Sequence, residues 1–133
     1  VTLPSRSREV TVNLWLSDAQ GNVSETPMSD TVMVDASAPM DGRVTTSAIT
    51  GGMSFRALDF VDGHSGMDRY VLTARAGTRS PPKCKASGNL VESTRKNFSA
   101  TGLKSGTVYS FRICGVDAVG NVSKGVIVRA TPR

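Results

Sequence analysis

At 133 residues the chain has room for one ordinary domain and a remainder. No apolar run approaches the ~20 residues of a membrane-spanning helix, no secretory signal opens the chain, and Val1 is not a natural start, so the chain reads as a piece of something longer with no membrane insertion. A net charge of +5, 38% hydrophobic residues and only 5% aromatics suit a core of Val, Leu, Ile and Met, and the scarcity of rings tells against a nucleic-acid surface built on stacked bases.

Residues 1–9, VTLPSRSRE, read as a short β-like piece and a turn. In residues 10–17 apolar and polar side chains alternate: Val10, Val12, Leu14 and Leu16 point one way, Thr11, Asn13 and Trp15 the other. That is the period of a half-buried strand. A polar corner follows, Asp18-Ala19-Gln20-Gly21-Asn22-Val23-Ser24, and residues 31–34 return as a second strand. Residues 35–39, DASAP, read as a linker in which the proline forces an extended approach. The expected domains are therefore 1–36 and 37–133.

The second unit is expected to hold strands over 42–47, 53–60, 67–76, 89–91, 97–100, 107–116 and 126–130. Gly51-Gly52 enters the second strand, the turn cluster Asp62-Gly63-His64-Ser65-Gly66 precedes the third, and the loop 77–88 carries Cys84. No stretch has helical spacing, and seven short strands at this interval argue for an all-β Greek-key sandwich. Its core is expected from Phe55, Leu58, Tyr70, Leu72, Phe98, Leu103, Tyr109, Phe111, Ile113 and Val128.

The corner recurs. Asp117-Ala118-Val119-Gly120-Asn121-Val122-Ser123 matches the first at every position but the third, at an offset of 99 (117 minus 18). The Asp carboxylate can accept backbone N–H groups ahead of it, and Gly and Asn tolerate positive φ. The competing reading is calcium on Asp18, Asp35, Asp41 and Asp117, but calcium takes about six to eight oxygens and too few carboxylates cluster here; no other cofactor is expected. Asn22-Val23-Ser24, Asn97-Phe98-Ser99 and Asn121-Val122-Ser123 fit the N-glycosylation pattern.

Arg75, Arg79, Lys83, Lys85, Arg95 and Lys96, set against Glu92, concentrate positive charge. They read as solvated loops, the alternative being a patch for nucleic acid, acidic glycan or an anionic surface. The two cysteines, Cys84 and Cys114, have no Cys-x-x-Cys spacing and no neighbouring histidine; they read as a disulfide of an oxidising compartment, or else as two free thiols. His64 is the only histidine, and Gly63-His64-Ser65-Gly66-Met67 fails as a nucleophile elbow. No enzyme and no catalytic residue is expected.

Leu103-x-x-Gly106-Thr107-x-Tyr109-x-Phe111-x-Ile113-x-Gly115-Val116-Asp117 resembles the sixth strand of a fibronectin type III domain, with Leu103 and Tyr109 at that family's tyrosine-corner positions. The resemblance covers residues 38–133; Phe55 stands in for the family's core tryptophan. The ending VDAVGNVSKGVIVRATP is similar to tandem modules of large secreted or surface proteins of bacteria, in which a cysteine after the third strand accompanies one in the sixth, as Cys84 and Cys114 would. Residues 1–35 resemble the last strands of a preceding bacterial Ig-like repeat.

The resemblance implies an extracellular spacer or adhesive module of a larger protein, or alternatively an accessory glycan- or substrate-binding module of a secreted hydrolase. Trp15 is the candidate ligand contact for the second reading, since Tyr70 and Tyr109 look buried. Aligning the corners puts Val10, Val12, Leu14 and Leu16 where Tyr109, Phe111, Ile113 and Gly115 sit, facing a sandwich interior. The first unit is too short to enclose one. Its other strands are expected from a partner, either an upstream chain or a second copy; the rival expectation is that it adds to the sandwich of 38–133.

Overall fold

The computed structural model describes Thr2 and residues 4–133. The β-like piece expected over 1–9 falls in part outside the described residues, at Val1 and Leu3; Arg8 and Glu9 already belong to the first strand. The chain divides into two compact units, Val1–Ser37 and Ala38–Arg133. The described residues form nine β-strands and no helix.

The first unit is a two-stranded antiparallel sheet of β1 (Arg8–Leu14) and β2 (Met28–Val34). β2 starts earlier than expected because Met28, Ser29 and Asp30 pair with Leu14, Asn13 and Val12. Opposed residues share a face of the sheet. Val10, Val12, Leu14, Met28, Val32 and Val34 therefore stand on one side, with Arg8 and Asp30 among them. Thr11, Asn13, Ser29 and Thr31 stand on the other, where Ser29 Oγ donates to Asn13 Oδ1 at 2.6 Å. Asp35 Oδ1 accepts from Ser7 Oγ and from the Ser37 N–H, each at 3.0 Å, which keeps Ser37 with this unit.

The second unit contains β3 (Arg43–Ile49), β4 (Gly52–Leu58), β5 (Met67–Ala76), β6 (Val91–Ser93), β7 (Asn97–Thr101), β8 (Tyr109–Asp117) and β9 (Val126–Ala130). They form two antiparallel sheets, ordered β3-β4-β7 and β6-β5-β8-β9. This is a Greek-key β-sandwich of the fibronectin type III and immunoglobulin-like kind.

Period-2 alternation fills the interior. Met53, Phe55 and Ala57 of β4, Tyr70 and Leu72 of β5, and Phe111 and Ile113 of β8 are buried together, with Phe98, Leu103, Tyr109 and Val128 packed around them. The Phe55 ring meets Phe111 edge-on at 5.0 Å and lies at 5.7 Å from Phe98. Tyr109 OH accepts the Lys104 N–H at 3.1 Å, closing the tyrosine corner.

One expected core residue is not there. Leu58 has the opposite parity to Phe55 and is only half-buried, and Ala57 points inward instead. The strand ends there because Asp59 takes a φ of 60°, which re-aims the chain so that Phe60 is buried. Asp59 holds that position exposed, paired with Arg43 at 2.7 Å.

Other boundaries shift for local reasons. The edge strand is Val91–Ser93 and not 89–91, because the Asn89 side chain closes a loop, accepting from Lys85 N at 3.0 Å and donating to Lys85 O at 2.8 Å. β8 begins at Tyr109 because the Thr107 N–H turns back to Lys104 O at 3.2 Å. β3 begins at Arg43, just after a close backbone approach: a Cβ on Gly42 would stand 1.9 Å from Leu58 O.

Candidate functional site

The two corners are built alike. Asp18 Oδ1 accepts the N–H groups of Gln20 and Asn22, both at 2.9 Å, and Oδ2 accepts Asn22 Nδ2 at 2.8 Å. Asp117 Oδ1 accepts from Val119 at 3.0 Å and Asn121 at 2.8 Å, and Oδ2 accepts Asn121 Nδ2 at 2.7 Å. Gly21 and Gly120 take φ of 86° and 95°, which is why glycine stands there. Ser24 Oγ accepts the Leu16 N–H, and Ser123 Oγ accepts the Gly115 N–H. Ser17 bridges Val23 as Val116 bridges Val122.

The settings differ. Asp117 is buried, and the Ala118 N–H reaches across to Gly66 O at 3.0 Å. Asp18 is exposed, and Ala19, in the place of Ala118, has no such acceptor among the described residues. The corner therefore closes within nine neighbouring residues, Leu16–Ser24 in the first unit and Gly115–Ser123 in the second, with or without a sandwich around it. The Asn22 side chain, then its backbone N–H, hold the Asp18 carboxyl below its ordinary value of 3.8.

Each of the four calcium candidates accepts hydrogen bonds from the protein. Asp18 and Asp117 serve their corners, Asp35 accepts from Ser7 and Ser37, and Asp41 Oδ2 accepts the Gly125 N–H at 2.8 Å. Within neither unit do described carboxylate, histidine or cysteine groups gather into a cluster of three around them.

Cys84 and Cys114 are joined by a disulfide, with Cα atoms 6.4 Å apart. Cys114 lies on the β8 face away from Phe111 and Ile113. That face is not open: Cys114, Val71 and Val116 are fully buried, with Cys84 and Val122 packed against them. The loop after β5 straps this face down. Thr73 Oγ1 donates to Pro82 O at 2.7 Å, Ser110 Oγ donates to Gly77 O at 2.9 Å, and Arg69 donates to Ala86 O.

Beside the strap lies an open cleft of about 710 Å³, lined among others by Pro39, Asp41, Lys83, Cys84, Arg112 and Lys124. Sequence reading missed it, because its walls come from the start of the unit, the strap, β8 and the turn before β9. Arg112 Nη1 donates to Lys124 O at 2.9 Å, and Ser123 Oγ is engaged by the Gly115 N–H. The charged side chains on its walls are Asp41, whose Oδ2 accepts the Gly125 N–H, and the cations Lys83, Arg112 and Lys124.

His64 and Ser65 lie in a turn organised by Asp62, whose Oδ1 accepts the N–H groups of His64 at 3.1 Å and Gly66 at 2.8 Å. The basic residues Arg75, Arg79, Lys83, Lys85, Arg95 and Lys96 are all exposed. Trp15 follows β1 and is 51% exposed, whereas Tyr70 is buried and Tyr109 half-buried. No helix of the described residues is long and apolar enough to cross a membrane.

The seven-stranded unit thus has the fold of a fibronectin type III or immunoglobulin-like sandwich. The chain is similar to a solved structure, the rat CD45 extracellular region, domains d3-d4, with a TM-score of 0.56 and 17% identity over 98% of this chain and 67% of that one. A likeness at that identity speaks for the fold. No family model and no curated protein matches the chain, and the bacterial likeness of its ending rests on the sequence alone.

Proposed function

We propose that the chain is a non-catalytic extracellular module that spaces or presents other domains of a larger secreted or surface protein, and that residues 1–36 are the last strands of a preceding repeat. The duplicated corner carries this reading. In the second unit it sits between β8 and β9, with β5 pairing the other edge of β8 and a second sheet covering the apolar face. In the first unit the same corner joins a two-stranded sheet whose apolar face stands open, with Val12 52%, Leu14 56% and Met28 68% exposed. A chain that repeats its own corner is a row of modules, and a row serves to space what it joins. A disulfide fits an oxidising compartment, and an exposed apolar face asks for a cover. The strands that supply it come from an upstream repeat, with a second copy as the competing source.

The alternative is an accessory glycan-binding module of a secreted hydrolase, which Trp15 alone favours. A glycan array probed with the full chain separates the two. The spacer reading expects no glycan retained above background. A specific glycan whose binding disappears in Trp15→Ala would move the function to the alternative.

A further inference from the structure

Three Asn-x-Ser sequons occur in the chain, and the structure separates them. In Asn22-Val23-Ser24 and Asn121-Val122-Ser123 the amide nitrogen that would carry a sugar is held inside the corner: Asn22 Nδ2 donates to Asp18 at 2.8 Å and Asn121 Nδ2 to Asp117 at 2.7 Å. Their serines are engaged as well, by the Leu16 and Gly115 N–H groups. A sugar on either asparagine takes away one amide hydrogen and adds bulk where the corner closes.

Asn97-Phe98-Ser99 is built differently. It opens β7, the edge strand of the three-stranded sheet. Phe98 turns inward opposite Phe55, while Asn97 and Ser99 are exposed on the outer face, opposite Arg56 and Ser54. Asn97 Nδ2 has no hydrogen bond among the described residues. Beside it runs a shallow, open groove of about 290 Å³ lined by Phe55 as well as by Thr45, Thr46, Ser54, Arg56 and Asn97, which leaves room for a first sugar.

We propose that Asn97 is an N-glycosylation site. Asn97 Nδ2 attacks C1 of a lipid pyrophosphate-linked oligosaccharide presented by an oligosaccharyltransferase. The N–C bond forms, the C–O bond to pyrophosphate breaks, the lipid pyrophosphate leaves and the amide proton is lost. The glycan stands off the outer face of an edge strand, where it shields unpaired backbone groups from another chain. The site rests on the extracellular half of the function proposed above and needs a compartment holding that transferase.

The test is to secrete the full chain from a eukaryotic host and measure intact mass before and after peptide N-glycosidase F. One glycan is expected, leaving aspartate at position 97 on release; it is lost in Asn97→Gln and in Ser99→Ala and kept in Ser99→Thr. Secreted chain with the Cys84–Cys114 disulfide formed but no glycan overturns the site and leaves the extracellular reading standing. A glycan that persists in Asn97→Gln also overturns it, since a corner asparagine would then be carrying the sugar. Chain retained in the cell with free thiols overturns both readings.

Discussion

Phe111→Ala is expected to destabilise the second unit by about 3–5 kcal/mol. Phe111 is fully buried, touches Phe55 edge-on at 5.0 Å and lies 5.9 Å from the Tyr109 ring. It also stands in β8, which is paired on both sides, opposite Ala74 and Val128. Both sheets therefore line the cavity its removal would leave, and neither can collapse into it cheaply. Arg112→Ala, one residue on, is expected to cost much less, because its side chain is half-exposed and rests on the strap side. Urea titrations of the two variants give the comparison. A larger loss for Arg112→Ala would mean that β8 faces the other way.

Opening the Cys84–Cys114 bridge is expected to cost about 3–4 kcal/mol in the chain-entropy account of a closed loop of this length, the bridged residues being 30 apart. The same change uncovers Val71 and Val116, which the strap keeps out of water. The double variant Cys84→Ala with Cys114→Ala should therefore lose stability without losing the sandwich interior around Phe55 and Ile113, and should exchange the amides of the strap faster. Two free thiols in the intact mass of non-reduced protein would contradict the bridge itself.

Much of this was legible in the sequence because alternation is a local signal. The pattern of Tyr109, Phe111 and Ile113 fixed both the inward face of β8 and the outward direction of Cys114. The corner was equally legible, since its donors and acceptors lie within nine residues and it forms in an exposed setting as well as a buried one. What failed depended on a break in the period or on residues far apart. Leu58 was expected inward beside Phe55, three residues away, but strict alternation along β4 turns Ala57 inward instead, and the φ of 60° at Asp59 ends that alternation before Phe60. Cys114 was expected on the outward side of β8 with the loop 77–88 long enough to fold over it, as it does, but the contacts that hold the loop down, from Thr73, Ser110 and Arg69 to Pro82, Gly77 and Ala86, had no signal in the sequence. The cleft beside Arg112 had no signal at all, because Asp41 and Gly125, which meet there, are 84 residues apart.

The exposed face of β1 and β2 is where the reading of the chain as a partial repeat followed by a whole one is most open to attack. An isolated hairpin is marginal in water. Its amides should therefore open far more often than those of a strand held between two neighbours. Hydrogen exchange measured on the full chain, with light scattering of the same sample to establish its mass, reads this directly. In the monomer the amides of Tyr109–Asp117 should be among the slowest to exchange, while those of Arg8–Leu14 exchange close to the unprotected rate. A clean monomer in which Arg8–Leu14 is as well protected as Tyr109–Asp117 would show that the hairpin finds its cover within this chain, and the partial-repeat account would be wrong.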